Sequence, residues 1–165
     1  MSARKDILTD DMRRLIAEQR LCYVATVDAE GAPNLSAKGT LVVWDANELA
    51  FADIRSPRTV ANLRGNPRVE INVVDPIARK GYRFNGTAEV HTEGSAFERG
   101  IRLYAERGVV SAIRSIVVIH VTRALPMISP VYDTGRSEAD VRAQWEHNYA
   151  SIRAGDDAET DAASD

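Results

Sequence analysis

The 165-residue sequence predicts a mainly β, α+β fold, an antiparallel barrel of about six strands with short flanking helices. Two observations predict it. Short runs rich in β-branched residues recur along the chain, and most are joined by hairpin-sized turns. Consecutive hairpins imply an antiparallel sheet, and six strands in so short a chain close most simply on themselves. No internal repeat or interdomain linker is visible. Residues 1–154 therefore read as one domain and 155–165 as an acidic tail predicted to be disordered.

Asp10 or Asp11 is expected to cap a helix from Met12 to Arg20, with Met12, Leu15 and Ile16 on one face. Leu21 to Val27 reads as the first strand, and Asp28 to Gly31 as a hairpin turn in which Gly31 takes positive φ. Asn34 to Asp45 is the second strand, broken near Gly39, and Glu48 to Ala52 the third. A short helix runs from Pro57 to Gly65 and is ended by Pro67. Arg68 to Val74 and Tyr82 to Thr92 are the next strands, separated by a loop that opens at Asp75-Pro76 and closes at Gly81. Ser95 to Glu98 has capping-box spacing and starts a helix reaching Arg107. Ile116 to Thr122 is the last strand. Ser137 begins a C-terminal helix with Val141, Trp145, Tyr149 and Ile152 at helical spacing.

Composition narrows the class. Hydrophobic residues make up 44% and charged residues 27%, as in soluble globular domains. No apolar run approaches the roughly 18 residues that span a bilayer, so no membrane association is expected. The N-terminus lacks the apolar stretch of a signal peptide, and the single cysteine, Cys22, excludes an internal disulfide. Together these point to the cytoplasm. The net charge of −3 hides an asymmetry: the tail after Gly155 carries only acids, while Arg55, Arg58, Arg64, Arg68, Arg79, Lys80 and Arg83 face just Glu70 and Asp75. So local a basic excess suits an anionic small molecule rather than nucleic acid, and a solvated surface equally well.

Several chemistries are excluded. No G-x-G-x-x-G follows a strand, and Gly81 to Gly86 lacks the Lys-Ser or Lys-Thr of a P-loop. His91, His120 and His147 have no metal-ligand spacing. One segment does carry chemistry. In Ser56-Pro57-Arg58-Thr59, Ser56 is a natural N-cap and Pro57 fits the first helical position. The free N–H groups of Arg58 and Thr59 then stand at the positive end of the helix dipole, where phosphate binds readily. On its own the same pattern serves as an ordinary cap with a surface arginine. Lys38-Gly39-Thr40 and Arg79-Lys80-Gly81-Tyr82 each set a lysine beside a glycine at a strand edge. Glycine there admits a flat ligand close to the backbone, and lysine supplies charge for a phosphate or an anionic ring.

Taken in order, Leu21 to Val27, Gly31-Ala32-Pro33-Asn34, Ser36-Ala37-Lys38-Gly39, Leu49 to Asp53, Ser56 to Thr59, Asn62 to Val69 and Tyr82 to Ala88 resemble the pyridoxamine phosphate oxidase-like family of FMN-binding split barrels. The resemblance covers about residues 21 to 90, with looser agreement to about 125. It implies a split β-barrel, FMN as cofactor, and a homodimer with the flavin near the interface. Carried over, Lys38, Ser56 and Arg58 hold the flavin phosphate, with Thr59 and Asn62 as helpers, Gly39 and Thr40 beside Lys38, and Asp53-Ile54 along the ring. Arg79 and Lys80 correspond to the basic pair entering a later strand, and Gly81 stands where many relatives place a glutamine. The implied activity is an FMN-dependent oxidoreductase acting on a small molecule, with no catalytic side chain named. A non-catalytic flavin carrier or sensor, a deazaflavin-dependent reductase and a haem-handling protein are alternatives on the same barrel. The chain departs from true pyridoxamine phosphate oxidases. Phe97 to Arg102 replaces their Tyr…Arg…Ser substrate set, and Trp145 to Tyr149 stands in place of their terminal Arg-x-His.

Overall fold

A computed structural model describes residues 6–155. The acidic tail from residue 156 lies outside the described residues. The elements are α1 (Asp10–Glu18), β1 (Cys22–Val27), β2 (Pro33–Lys38), β3 (Val42–Asp45), β4 (Glu48–Asp53), α2 (Pro57–Gly65), β5 (Arg68–Asp75), β6 (Lys80–His91), α3 (Gly94–Glu106), β7 (Ser115–Ile128) and α4 (Glu138–Ala154). The strands form one sheet in the order β2-β1-β5-β6-β7-β4-β3, an antiparallel α+β arrangement of the split-barrel type.

The expected second strand is two. It ends at Lys38 and resumes at Val42, and the two pieces lie on opposite edges of the sheet. Residues 39–41 therefore cross the split between the edges, which raises the strand count to seven. β1 pairs with β2 from Cys22↔Lys38 to Val27↔Pro33 and with β5 at Tyr23↔Asn72. β4 pairs with β7 from Glu48↔His120 to Asp53↔Ser115. β7 runs to Ile128, well beyond Thr122. Its second half is largely exposed and holds Pro126, so pairing rather than alternation sets it there.

Two caps differ from expectation. Thr9, not Asp10 or Asp11, caps α1, its Oγ1 accepting from the Met12 N–H at 3.3 Å. Asp10 and Asp11 fall in the first turn, where the dipole favours acids. Gly94, at φ +83°, turns the chain into α3 one residue before Ser95. Ser95 therefore sits inside the first turn and cannot cap, and no side chain caps α3.

The described residues form two compact units. The larger holds the chain up to Val74 together with Gly81–Met127. Its main core packs Met12, Leu15 and Ile16 of α1 against Val24, Phe51, Ile71, Val73, Phe84 and Ile119. A second cluster joins Trp44, Ala50, Tyr104, Ile116 and Val118. The smaller unit holds Asp75–Lys80 and the chain from Ile128. Arg142 pairs with Asp75 at 2.8 Å, Lys80 pairs with Glu138 at 2.8 Å, and the Arg79 guanidinium lies 4.3 Å from the centre of the Trp145 ring. In the α4 stripe Val141 is fully buried, while Tyr149 and Ile152 are exposed.

Two glycines allow neighbouring strands to approach. A Cβ on Gly81 would lie 2.3 Å from the Val73 carbonyl oxygen, and one on Gly86 2.4 Å from that of His120. A Cβ on Gly39 meets only ordinary contact, Arg20 O at 3.5 Å. Gly86→Ala is therefore expected to cost about 1–3 kcal/mol of stability, while Gly39→Ala costs well under that. Urea unfolding of the two variants checks the contrast.

Candidate flavin site

Strand β2 reads Pro-Asn-Leu-Ser-Ala-Lys, and its two faces are reversed from the usual pattern. Leu35 is 68% exposed, and Ala37 is exposed beside it. Asn34, Ser36 and Lys38 face inward, on the side where their β1 partners Thr26, Val24 and Cys22 are buried. Lys38 is 4% exposed. Its ammonium donates to Ser36 Oγ and to the Ala37 carbonyl at 3.4 Å, and lies 5.5 Å from the centre of the Phe51 ring. Among the described residues no carboxylate lies within ion-pair distance of it. Burial holds its pKa below the usual lysine value, with Cys22 and Asp53 working the other way. Burial pushes the neighbouring Cys22 thiol up to about 12, so it stays protonated near neutral pH.

Helix α2 packs against β1 and β2. Its N-terminus carries Ser56 at the cap and Pro57 at the first position, as expected, but the Ser56 hydroxyl makes no capping bond. The carboxylate of Asp53, 3% exposed, accepts from the Ser56 N–H at 2.9 Å and braces the turn. Ile54 beside it is half-buried. Arg58 is an exposed side chain whose Nη2 lies 3.5 Å from Asp28 in the β1–β2 turn. The helix end thus offers a dipole, unpartnered N–H groups and a loosely held guanidinium.

The structure brings Ser56, Arg58 and the β2 row to the same corner of the larger unit. Lys38 bends back toward Ser36, and Asn34, two residues further on, reaches α2. Other expected residues have different work. Thr59 and Asn62 are buried, and their side chains bond inward to Asn34 and Thr26. These side chains join the helix to β1 and β2. The Thr40 hydroxyl donates to the Ala52 carbonyl at 3.3 Å and accepts its N–H at 3.1 Å, splicing the β2–β3 crossing onto β4. Lys80 is held by Glu138 and by the Tyr132 ring at 4.3 Å. Gly81 makes room for the close approach of β5. Asn34 and Ser36 are additions that the sequence signalled only through the polar alternation of β2, and Thr26 of β1, opposite Asn34, is a third with no such signal.

With this geometry in view, comparison with known proteins becomes informative. The family model described as pyridoxamine 5'-phosphate oxidase matches residues 8–127. The chain belongs to this family. The match takes in β1 to β6 and most of β7, hence every residue of the β2–α2 corner. The HupZ protein of group A Streptococcus superposes with a TM-score of 0.68 at 36% identity, covering 73% of this chain and 94% of that one. An FMN-binding protein from Syntrophomonas wolfei superposes with a TM-score of 0.61 over 72% of this chain and 85% of that one, at 19% identity, which shows the shared fold. An uncharacterized protein of Methanocaldococcus jannaschii is 30% identical over 89 residues, 53% of this chain and 58% of that protein. The chain thus spans little more than half the length of this relative.

No helix among the described residues is long and apolar enough to cross a membrane, and none of their acidic, cysteine and histidine side chains cluster in threes that could hold a metal ion.

An isolated buried ammonium opposes folding. Lys38→Met is expected to raise the melting temperature of the flavin-free protein at pH 7. The pH dependence follows from the sign of the shift. Below the folded-state value of Lys38 the penalty is full. Between that value and the ordinary 10.5 the unfolded chain holds the extra proton, so stability rises with pH. Melting curves across the alkaline range should show this rise in the parent and not in Lys38→Met.

Proposed function

We propose that this chain binds FMN at the β2–α2 corner and works, as a homodimer, as an FMN-dependent oxidoreductase acting on a small molecule. One observation carries the reading: Lys38 is a buried cation with no carboxylate within ion-pair distance among the described residues, on a polar row that leads to a helix N-terminus bearing Arg58. A phosphate dianion would neutralise the ammonium and accept from the Arg58 guanidinium and the free N–H groups of α2. The residues therefore fit a phosphorylated flavin. When bound, the flavin supplies the hydride or electron chemistry. The protein's own part is to bind and orient it. Ser56 and Arg58 take the phosphate, Lys38 sets positive charge beside it or beside the ring, and Asp53 with Ile54 borders the ring. Residues 97–102, in α3, do not carry the Tyr…Arg…Ser pattern of true pyridoxamine phosphate oxidases, so another substrate is expected.

The outward face of β1 and β2 supports the dimer. Tyr23 of β1 and Leu35 of β2 are 44% and 68% exposed on neighbouring strands, and Leu21, just before β1, is 52% exposed. Opposite Tyr23 on β5, the side-chain oxygen of Asn72 is buried without a partner. A second copy would cover the apolar row and shield a flavin lying along the sheet edge.

The purified protein should bind FMN more tightly than riboflavin. Arg58→Ala should weaken FMN about ten- to a hundredfold with little change in flavin-free stability. Equal affinity for the two flavins by fluorescence titration would remove the phosphate site. The absorption spectrum of the loaded protein separates flavin from deazaflavin and haem, and bound flavin without turnover by reduced nicotinamides would make the protein a carrier.

Leu35→Glu places a charge in the apolar row. It should shift the dimer to monomer in light scattering and release FMN at the same dilution. A Leu35→Glu dimer as tight as the parent would place the interface elsewhere.

A further inference from the structure

Four polar side chains meet where β1, β2 and α2 come together. Thr26 Oγ1 accepts from Asn34 Nδ2 at 3.2 Å and from Asn62 Nδ2 at 3.0 Å. The same Asn34 amide reaches Thr59 Oγ1 at 3.3 Å. Thr26, Thr59 and Asn62 are 4%, 1% and 7% exposed. Apolar residues of similar size could fill this space without any requirement for matched donors and acceptors. A polar network gives up that tolerance and fixes direction instead, because each group is satisfied in only one arrangement.

The direction it fixes is that of α2 relative to β2. Thr59 lies next to Arg58 in the first turn of α2, and Asn34 lies on the inward row of β2 that ends at Lys38. The two elements that carry the phosphate-binding groups are joined side chain to side chain through Asn34, and the Thr26 hydroxyl anchors both asparagines. We infer that Thr26 is a positioning residue for the flavin phosphate: its buried hydroxyl sets the α2 N-terminus against the polar row of β2, so that Arg58 and the free N–H groups of α2 face one anion. This rests on the FMN reading above. Thr26 touches no ligand and acts through Asn34 and Asn62. A rotation of α2 by even a small angle would turn its N–H groups away from the polar row of β2 while leaving the flavin ring's surroundings in place.

The test uses the full chain with Thr26→Val, which keeps the shape and removes the hydroxyl, and Thr26→Ser, which keeps the hydroxyl. FMN and riboflavin are titrated by flavin fluorescence, and stability is read by urea unfolding. Thr26→Val should lose about tenfold in FMN affinity with riboflavin affinity unchanged, the loss of roughly one hydrogen bond's worth of orientation. Thr26→Ser should restore the preference for FMN. A Thr26→Val protein that keeps the parent's preference, or that loses both flavins equally along with stability, overturns the inference. If Thr26→Val does not fold, Asn34→Ala breaks the β2 bonds to Thr59 and Thr26, leaves Asn62 on Thr26, and should show the same selective loss; an unchanged preference there overturns the inference. A parent protein with no preference for FMN overturns the phosphate reading and this inference together. A preference that is present but indifferent to Thr26 overturns this inference alone.

Discussion

Strand β2 faces Asn34, Ser36 and Lys38 inward and Leu35 and Ala37 outward, and the pairing Cys22↔Lys38 to Val27↔Pro33 holds it there. A shift of one residue would put Leu35 inside and Lys38 in water, as hydrophobic burial alone would favour. The register is held instead by β1, whose Cys22, Val24 and Thr26 occupy the same inner face, and by the bonds from Asn34 to Thr26 and Thr59. The cost of burying Lys38 is thus borne by neighbours that are correctly packed.

From that one constraint the rest of the site follows. The polar row gives α2 something to dock on, and the docking fixes the helix end with its uncapped Ser56 and free N–H groups. The outward apolar row gives the sheet a face that water does not favour. The break at 39–41, spliced onto β4 by Thr40 and braced by the Tyr104 hydroxyl on the Thr40 carbonyl at 2.8 Å, lets β2 be an edge strand at all. An edge strand is where a ligand and a partner can both reach backbone and side chains.

The smaller unit has its own logic. Asp75, Arg142, Glu138 and Lys80 form a chain of ion pairs, and Arg79 and Lys80 each lie over an aromatic ring. The basic pair that a family resemblance assigns to the flavin is spent here on the C-terminal segment. This segment lies beyond the residues matched by the family model, which end at 127.

The sequence by itself determined most strands, the Pro57–Gly65 helix and the family, because these rest on local signals: alternation, a proline at the first helical position and turn residues. It also marked Lys38, Ser56 and Arg58, whose residue types carry charge or caps wherever they fall. Tertiary structure decided what those types do. What a threonine does depends on which way it faces, and Thr59 and Asn62 face Asn34 and Thr26 across 25 and 36 positions of chain. That Gly81 leaves room for Val73 depends on a neighbouring strand. That the strand predicted through Gly39 belongs to both edges of the sheet depends on closure. Local sequence carries periodicity and propensity, whereas facing, pairing and occupancy are properties of residues distant in the chain. Those became visible only when the sheet was assembled.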